Sequence, residues 1–301
     1  MEASSPCASL LAVDDRSPER AHWYCSQLEQ GCVLFFPAVP FPLAEPDRQF
    51  LLSLKAGGSR FHKNISYRPA TKVLKGASGD SQEHAGLEHV LREFSEEATR
   101  FVATWLTPYA GHLRLDFASF RPLEEKGRNL PLHQRNDLLH VDAFPSRPTH
   151  GARILRLFVN INSEASRIWN VGQPFHELVP EIMRSEKIGP PERSGAAHAL
   201  ARLAARLGLP VRDRSRYDRY MLYLHDWLKE NTDFQQNAPK REITFPPGSC
   251  WMVFTDGVPH AALSGQYALE QTFIIPLEAL VSPATAPLRV LESATGTPMS
   301  T

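Results

Sequence analysis

Between Asp80 and Leu106, apolar residues recur every three to four positions: Leu87, Val90, Leu91, Phe94, Ala98, Phe101, Val102 and Trp105. That period predicts a helix with one buried face, capped at Asp80 or Ser81 and stopped before Pro108. Upstream, LEQGCVLFFPAVPFPLAEPDRQFLLSL reads as a short apolar strand, a proline-punctuated turn and a further helical turn. Downstream the period falls to two. Leu113, Leu115 and Phe117 alternate with other residues, and RILRLFVNI (Arg153 to Ile161) is apolar and rich in strand formers. A stretch from roughly 163 to 241 interrupts this pattern with a short helix from Gly195 to Leu207 and a second from Ser215 to Glu230. The second is opened by a capping box of Ser215 and Asp218. Strands resume in EITF, CWMVF and LEQTFIIP, separated by a Pro246-Pro247-Gly248 turn and an Asp256-Gly257 turn. Helices first, strands later and one helical insertion predict an α+β fold, an antiparallel sheet or barrel with helices outside.

Composition narrows the class. Of 301 residues, 42% are apolar and 22% charged, enough for a sizeable core and unlike a disordered, collagen-like or coiled-coil chain. Lys+Arg and Asp+Glu balance at 33 each, so no global field draws in nucleic acid, and none is expected as a partner. Any anionic partner must meet a local patch. Two exist: Lys55, Arg60, Lys63, Arg68, Lys72 and Lys75 in an acid-free run, and seven arginines against Asp213 and Asp218 within 193–219. The first run fits a solvated loop as well as a recognition surface. The apolar stretch Val33 to Ala44 is short and carries three prolines, unlike a membrane span. The start lacks a basic leader before Asp14 and Asp15. Cys7, Cys25, Cys32 and Cys250 have neither CxxC spacing nor disulfide-scaffold density, which predicts buried free thiols in a cytoplasmic chain.

The candidate chemistry centres on His140-Val141-Asp142. On extended backbone, residues two apart face one side, so an imidazole and a carboxylate point together. Two histidines and one carboxylate leave open positions that suit non-haem Fe(II). His260, after CWMVF and the Asp256-Gly257 turn, is the best-placed second histidine. His225 is explained by packing in its helix, His133 and His150 lie in loop-like text, and His84, His89 and His112 lack a carboxylate two positions away. An isolated His-x-Asp also fits a surface pair. In RILRLFVNIN, Ile154, Arg156, Phe158, Asn160 and Asn162 share a face, which reads as a polar cavity wall or a face toward water. The Arg156 fork matches a carboxylate. Glu96-Glu97 and Glu124-Glu125 are expected to be solvated, and no GxSxG, HExxH or GxGxxG is present.

With these residues in place, the chain resembles the Kdo 3-hydroxylase (Kdo dioxygenase) family from about Leu28 to Glu292. The resemblance is carried by LEQGCVLFFPAVPF, HKNISYRP, LHVDAFPSRPTHGARILRLFVNIN, RSRYDRYMLYLHDWLK and FPPGSCWMVFTDGVPHAALSGQYALEQTF. It implies a double-stranded β-helix (jelly-roll, cupin-like) core with flanking helices and a helical insertion. Residues 1–20 would be a flexible start and 21–301 one catalytic domain. Within it lie an N-terminal α/β part (21–112), jelly-roll strands (113–162 and 242–276), the insert (163–241) and a tail (277–301).

The resemblance further implies Fe(II) on His140, Asp142 and His260, with 2-oxoglutarate and O2 as cosubstrates. Hydroxylation would fall at C3 of 3-deoxy-D-manno-oct-2-ulosonic acid (Kdo) in Kdo-lipid A, giving Ko. Many related enzymes carry an arginine shortly after the distal histidine, but AALSGQYALEQTF has no basic residue. Arg156 resembles the basic residue of Jumonji-type relatives and is the expected 2-oxoglutarate clamp, with Arg121 as the alternative and Asn160 beside it. Lys63, Arg68 and Trp169 are the expected substrate contacts. The basic patches imply peripheral association with the cytoplasmic face of the inner membrane. The competing readings are a protein side-chain hydroxylase, a zinc-dependent hydrolase and a non-catalytic lipopolysaccharide-binding module.

Overall fold

In the computed structural model, residues 9–13, 17–54, 61–77, 81–185, 189 and 214–300 are described. The expected helix Gly195 to Leu207, Cys7, Lys55, Arg60 and most of the arginine-rich 193–219 stretch lie outside them, as does the side chain of Lys63. The predicted long helix is present as Ser81–Trp105 (α3), after α1 (Ala21–Glu29) and α2 (Glu45–Ser53). Its buried residues include Leu87, Val90, Leu91, Phe94, Ala98, Val102 and Trp105, the predicted apolar stripe less Phe101.

Eleven strands follow in chain order among the described residues: β1 Leu10–Ala12, β2 Val33–Phe36, β3 Phe61–Arg68, β4 Val73–Ala77, β5 Arg114–Arg121, β6 Arg153–Asn160, β7 Arg167–Gly172, β8 Lys240–Phe245, β9 Cys250–Phe254, β10 His260–Ser264 and β11 Ala268–Ile275. Eight form one sheet in the order β1-β2-β9-β6-β11-β5-β3-β4, and three form a second, β10-β7-β8. Only β1 and β2 pair in parallel; every other described pair is antiparallel.

Period two divides the labour of the large sheet. Leu155, Leu157 and Val159 of β6, with Leu269, Phe273 and Ile275 of β11, face α1 and α3 in the main core. The alternate residues face the small sheet, where Phe158, Trp169, Phe245 and Trp251 form an aromatic inner core. Phe245 stacks on Trp251 at 3.9 Å between centroids. The remaining helices, α4 (Phe175–Ser185), α5 (Arg216–Glu230), α6 (Thr232–Asn237) and α7 (Pro287–Thr295), follow in chain order. Of these, α4, α5 and α7 gather around Val141 as a satellite cluster. The α5 capping box of Ser215 and Asp218 is present. Cys25, Cys32 and Cys250 are free thiols, with Cys25 and Cys250 buried. No described helix is long and apolar enough to cross a membrane.

Several elements differ from expectation. Residues 10–12, expected to fray, form a strand on β2. Strand β7 lies inside the stretch assigned to the helical insert, so strand pattern runs on through Gly172. The phase of β5 also shifts: Leu115 is 38% exposed while Asp116 is 8% exposed. The β11–β5 register slips between Gln271 and Phe273, and a bulge of this kind moves each later side chain to the other face.

A buried ion pair ties the large sheet to the turn before β10. Arg153 Nε donates to Asp256 Oδ2 at 2.7 Å, and Ile154 N donates to Asp256 Oδ1 at 3.2 Å. A Cβ on Gly257 would collide with the Arg153 guanidinium, so this turn requires glycine. Burial outweighs Arg153 and raises the Asp256 pKa above the ordinary value. We expect Arg153→Met to cost about 3 kcal/mol in urea unfolding, because it strands a buried carboxylate. Adding Asp256→Asn should restore part of the loss, since the amide still accepts from Ile154.

Candidate metal centre

His140 lies outside the named strands, yet its backbone pairs with the first residue of β10. His140 N donates to His260 O at 3.1 Å, and His260 N donates to His140 O at 2.9 Å. An antiparallel pair that exchanges both bonds projects its two side chains to the same side. Asp142, two residues on, joins them, and its amide donates to Thr255 O at 2.9 Å. Between them Val141 points the other way, fully buried in the α4–α5–α7 cluster. His225 Nδ1 lies 2.7 Å from the Val141 carbonyl, so this helical histidine clamps the backbone between the two candidate ligands.

The imidazoles are oriented by their rear nitrogens. His140 Nδ1 sits 2.7 Å from Leu138 O, and His260 Nδ1 sits 2.9 Å from Val258 O. A carbonyl only accepts, so each Nδ1 carries the proton and each Nε2 presents a lone pair. One ligand atom from each of His140, Asp142 and His260 lies within 4.8 Å of the others. Burial lowers the pKa of His140 well below the ordinary value, and the neighbouring His260 lowers it further. His260 is lowered by burial as well. Burial pushes Asp142 up, but the opposing interactions, led by the Arg156 guanidinium, outweigh it and hold its carboxyl below the usual range. At neutral pH the set is two neutral imidazoles and a carboxylate, already deprotonated as a divalent metal requires. The donor set fits Fe(II).

Beside it lies a pocket lined by Arg121, Arg156 and Arg167 together with Asn136, Phe158 and Trp169. Arg156 Nη2 is 3.0 Å from Asp142 Oδ2, and its Nη1 is 3.1 Å from Glu270 Oε1. Arg121 Nε donates to Glu270 Oε2 at 2.8 Å. Arg167 Nη2 reaches Glu125 Oε1 at 3.2 Å, and Asn136 Nδ2 donates to both Glu125 oxygens at 3.3 Å. Burial lowers Arg167 to about 10 despite Glu125. Gly265, at φ +125°, admits Arg167, because a Cβ there would stand 2.6 Å from its Cγ. The Nε atoms of Arg156 and Arg167 are buried without a hydrogen-bond partner. Such unspent donors suit a carboxylate from outside the chain.

The predicted residues separate into groups. His140, Asp142, His260, Arg156, Arg121 and Trp169 all line this one pocket. Asn160 does not: its Nδ2 donates to Ala165 O and Phe245 O, each at 3.0 Å, and its Oδ1 accepts from Asn162 N. Its amide is used to hold the turn after β6, which removes it from the expected cofactor role. Trp169 is 3% exposed and stacks on the His260 ring at 5.3 Å, so it buttresses this candidate ligand and offers no open face to a sugar. Arg68 lies in a different pocket, described below. Of the Glu124-Glu125 pair, Glu124 is exposed as expected, while accepting from Gly265 N, whereas Glu125 is not solvated: it is 6% exposed among arginines. Sequence reasoning passed over Arg167, Glu125, Glu270 and the clamping role of His225. The period-two placement of Arg167 and Trp169 was the available signal, hidden by assigning that segment to the insert.

The sequence profile of the family described as 3-deoxy-D-manno-oct-2-ulosonic acid (Kdo) hydroxylase matches residues 12–298. Among solved structures, the chain is similar to the apo form of the Kdo hydroxylase KdoO, a non-heme Fe(II) α-ketoglutarate dependent dioxygenase. Identity is 36%, 97% of each chain is covered and the TM-score is 0.85. It is equally similar, at 36% identity, 97% coverage of each chain and TM-score 0.84, to the same enzyme in complex with α-ketoglutarate and Fe(III). No curated protein sequence matches the chain.

Titration calorimetry with Co(II) should show His140→Ala or His260→Ala weakening metal binding by at least about 100-fold. Protons compete for Nε2 only below the depressed imidazole pKa values. Wild-type affinity should therefore hold as pH falls through about 6.5, the ordinary histidine value, and drop only in more acid solution. A tenfold loss already at that pH would contradict the buried neutral imidazoles.

Proposed function

The chain belongs to the Kdo hydroxylase family, and from that premise we propose an Fe(II)- and 2-oxoglutarate-dependent dioxygenase that hydroxylates Kdo at C3 in Kdo-lipid A, giving Ko. The observation that carries this reading is the convergence of His140, Asp142 and His260 beside a pocket with three arginines. Fe(II), 2-oxoglutarate and O2 together supply the oxidising power for a C–H bond, with succinate and carbon dioxide as co-products. The protein supplies position and charge.

His140, Asp142 and His260 hold the metal. Their orientation is fixed by Leu138 O, Val258 O and the paired backbone of His140 and His260. Arg156 is the clamp for the far carboxylate of 2-oxoglutarate. It is supported by its unpartnered Nε and by its place on β6, facing the small sheet. Arg121 and Arg167 line the same pocket and share that cationic wall. Glu270, held below the usual range because Arg121 and Arg156 outweigh its burial, keeps the two guanidiniums apart. Phe158 and Trp169 close the inner end against water.

A double-stranded β-helix is supported by the alternation of consecutive segments between the two sheets. Strand β5 is in the large sheet, and the His140 segment joins the small one through β10. Then β6 is large, β7 and β8 small, β9 large, β10 small and β11 large. The acid-free run 55–75 and the arginines of 193–219 support peripheral contact with the anionic cytoplasmic face of the inner membrane. Retention on anionic vesicles should fall as ionic strength rises; binding indifferent to salt would argue against it.

Mass spectrometry of Kdo-lipid A after incubation with protein, Fe(II), 2-oxoglutarate and air should show a one-oxygen gain on the sugar that vanishes without 2-oxoglutarate. His140→Ala and His260→Ala should abolish it. Succinate release without oxygen gain would keep the dioxygenase and discard the substrate. Arg156→Ala should raise the 2-oxoglutarate KM by about tenfold or more, and the sugar KM far less. The same effect from Arg121→Ala instead would make Arg121 the clamp.

A further inference from the structure

A second pocket, of about 450 Å³ and open to solvent, adjoins the metal centre. Phe144, two residues beyond Asp142, lines it, and two guanidiniums pack against that ring: Arg147 at 4.3 Å on the pocket side and Arg156, from the metal-centre wall, at 5.7 Å. Arg114 on β5 and Ile274 on β11 are register partners, and Thr272, two residues along β11, pairs with Arg156. The pocket therefore continues along the same sheet face that carries the proposed clamp.

Its chemistry is that of an oxyanion site. Arg68 and Arg147 flank a single ring, Phe117, at 4.9 and 4.4 Å, and share one nearly buried carboxylate, Asp116. Arg147 Nε is buried without a hydrogen-bond partner. Arg114 is exposed and has no ion pair among the described residues. Glu278 is the other acid in the lining, so three arginines face two carboxylates. Burial lowers the pKa of Arg147, and Arg156 and Arg68 lower it further against the pull of Asp116. Crowded guanidinium forks with unspent N–H groups are matched by a phosphate or carboxylate, which accepts from two at once. Leu115, 38% exposed, and Leu277 give the pocket an apolar lip, which suits an amphiphile better than a free ion.

We propose that Arg68, Arg114 and Arg147 form a second anion subsite that holds a phosphate or carboxylate of the glycolipid substrate while its sugar occupies the metal centre. This deepens the proposed function and rests on it for the identity of the ligand. The subsite would discriminate an anchored substrate from a free sugar by supplying binding energy away from the reacting carbon.

The test uses full-length protein loaded with Fe(II) and 2-oxoglutarate without oxygen. Deacylated Kdo-lipid A, with and without its phosphates, is titrated calorimetrically into wild type, Arg68→Ala and Arg114→Ala, and turnover of the same samples is then measured in air. Each variant should weaken binding of the phosphorylated compound by about tenfold. If the loss disappears with the dephosphorylated compound, the anion is a phosphate; if it persists, the anion is a sugar carboxylate. Affinities of both variants within twofold of wild type for both compounds would overturn the subsite. Arginine-dependent binding with no wild-type turnover would leave the subsite standing and remove the hydroxylase reading instead.

Discussion

The two backbone hydrogen bonds exchanged by His140 and His260 are the constraint on which the candidate site depends. They join a segment outside the named strands to the edge of the three-stranded sheet, and they set the relative direction of two side chains far apart in sequence. With that register fixed, Asp142 falls on the same side through the two-residue repeat of extended backbone. A slip of one residue would turn the His260 imidazole to the opposite face. The surroundings oppose a slip: Val141 is buried among helices, His225 holds its carbonyl, and Asp256 ties the preceding turn to β6 through Arg153.

Charge around the pocket follows from the same architecture. Arg121, Arg156 and Arg167 face Glu125, Glu270 and Asp142 in a nearly dry space. Guanidinium groups removed from water in this way are tolerable because the carboxylates are interleaved with them. The pairing is close to balanced in charge but not in hydrogen bonds, since Arg156 and Arg167 each keep a buried donor unspent. A pocket that is neutral overall yet rich in directed N–H groups favours a planar oxyanion and excludes a plain apolar ligand. The outer pocket around Arg147 repeats this logic nearer solvent, with Phe144 packed against guanidiniums from both pockets.

The His-x-Asp was legible because its geometry is local. So were α3, from an apolar stripe of period 3.6, and the capping box of α5, from residues three apart. Arg156 stood out because a charge on an otherwise apolar strand needs a partner. Asn160 sits on the same strand face and was misjudged for the same reason, since its partners proved to be the carbonyls of its own turn and of Phe245. Trp169 was read as a sugar platform, but its ring is covered by His260. Glu125 looked like half of a solvated acid pair because nothing local reveals that Arg121, Arg128 and Arg167 converge on it.

Sequence alone therefore determined the α+β class, the main described helices and strands, the free-thiol chemistry of Cys25, Cys32 and Cys250 and the two candidate ligands that lie within one extended segment. It also carried the family resemblance, through stretches too long to arise from composition. Tertiary structure decided what depends on register and burial: the pairing of His140 with His260, the neutral state of both imidazoles and the grouping of three arginines from β5, β6 and β7. It also separated Arg68 from the metal pocket. The physical reason is range. Backbone periodicity acts over a few residues and is written in the chain, whereas desolvation and ion pairing depend on which strands are neighbours, fixed only when the sheets close.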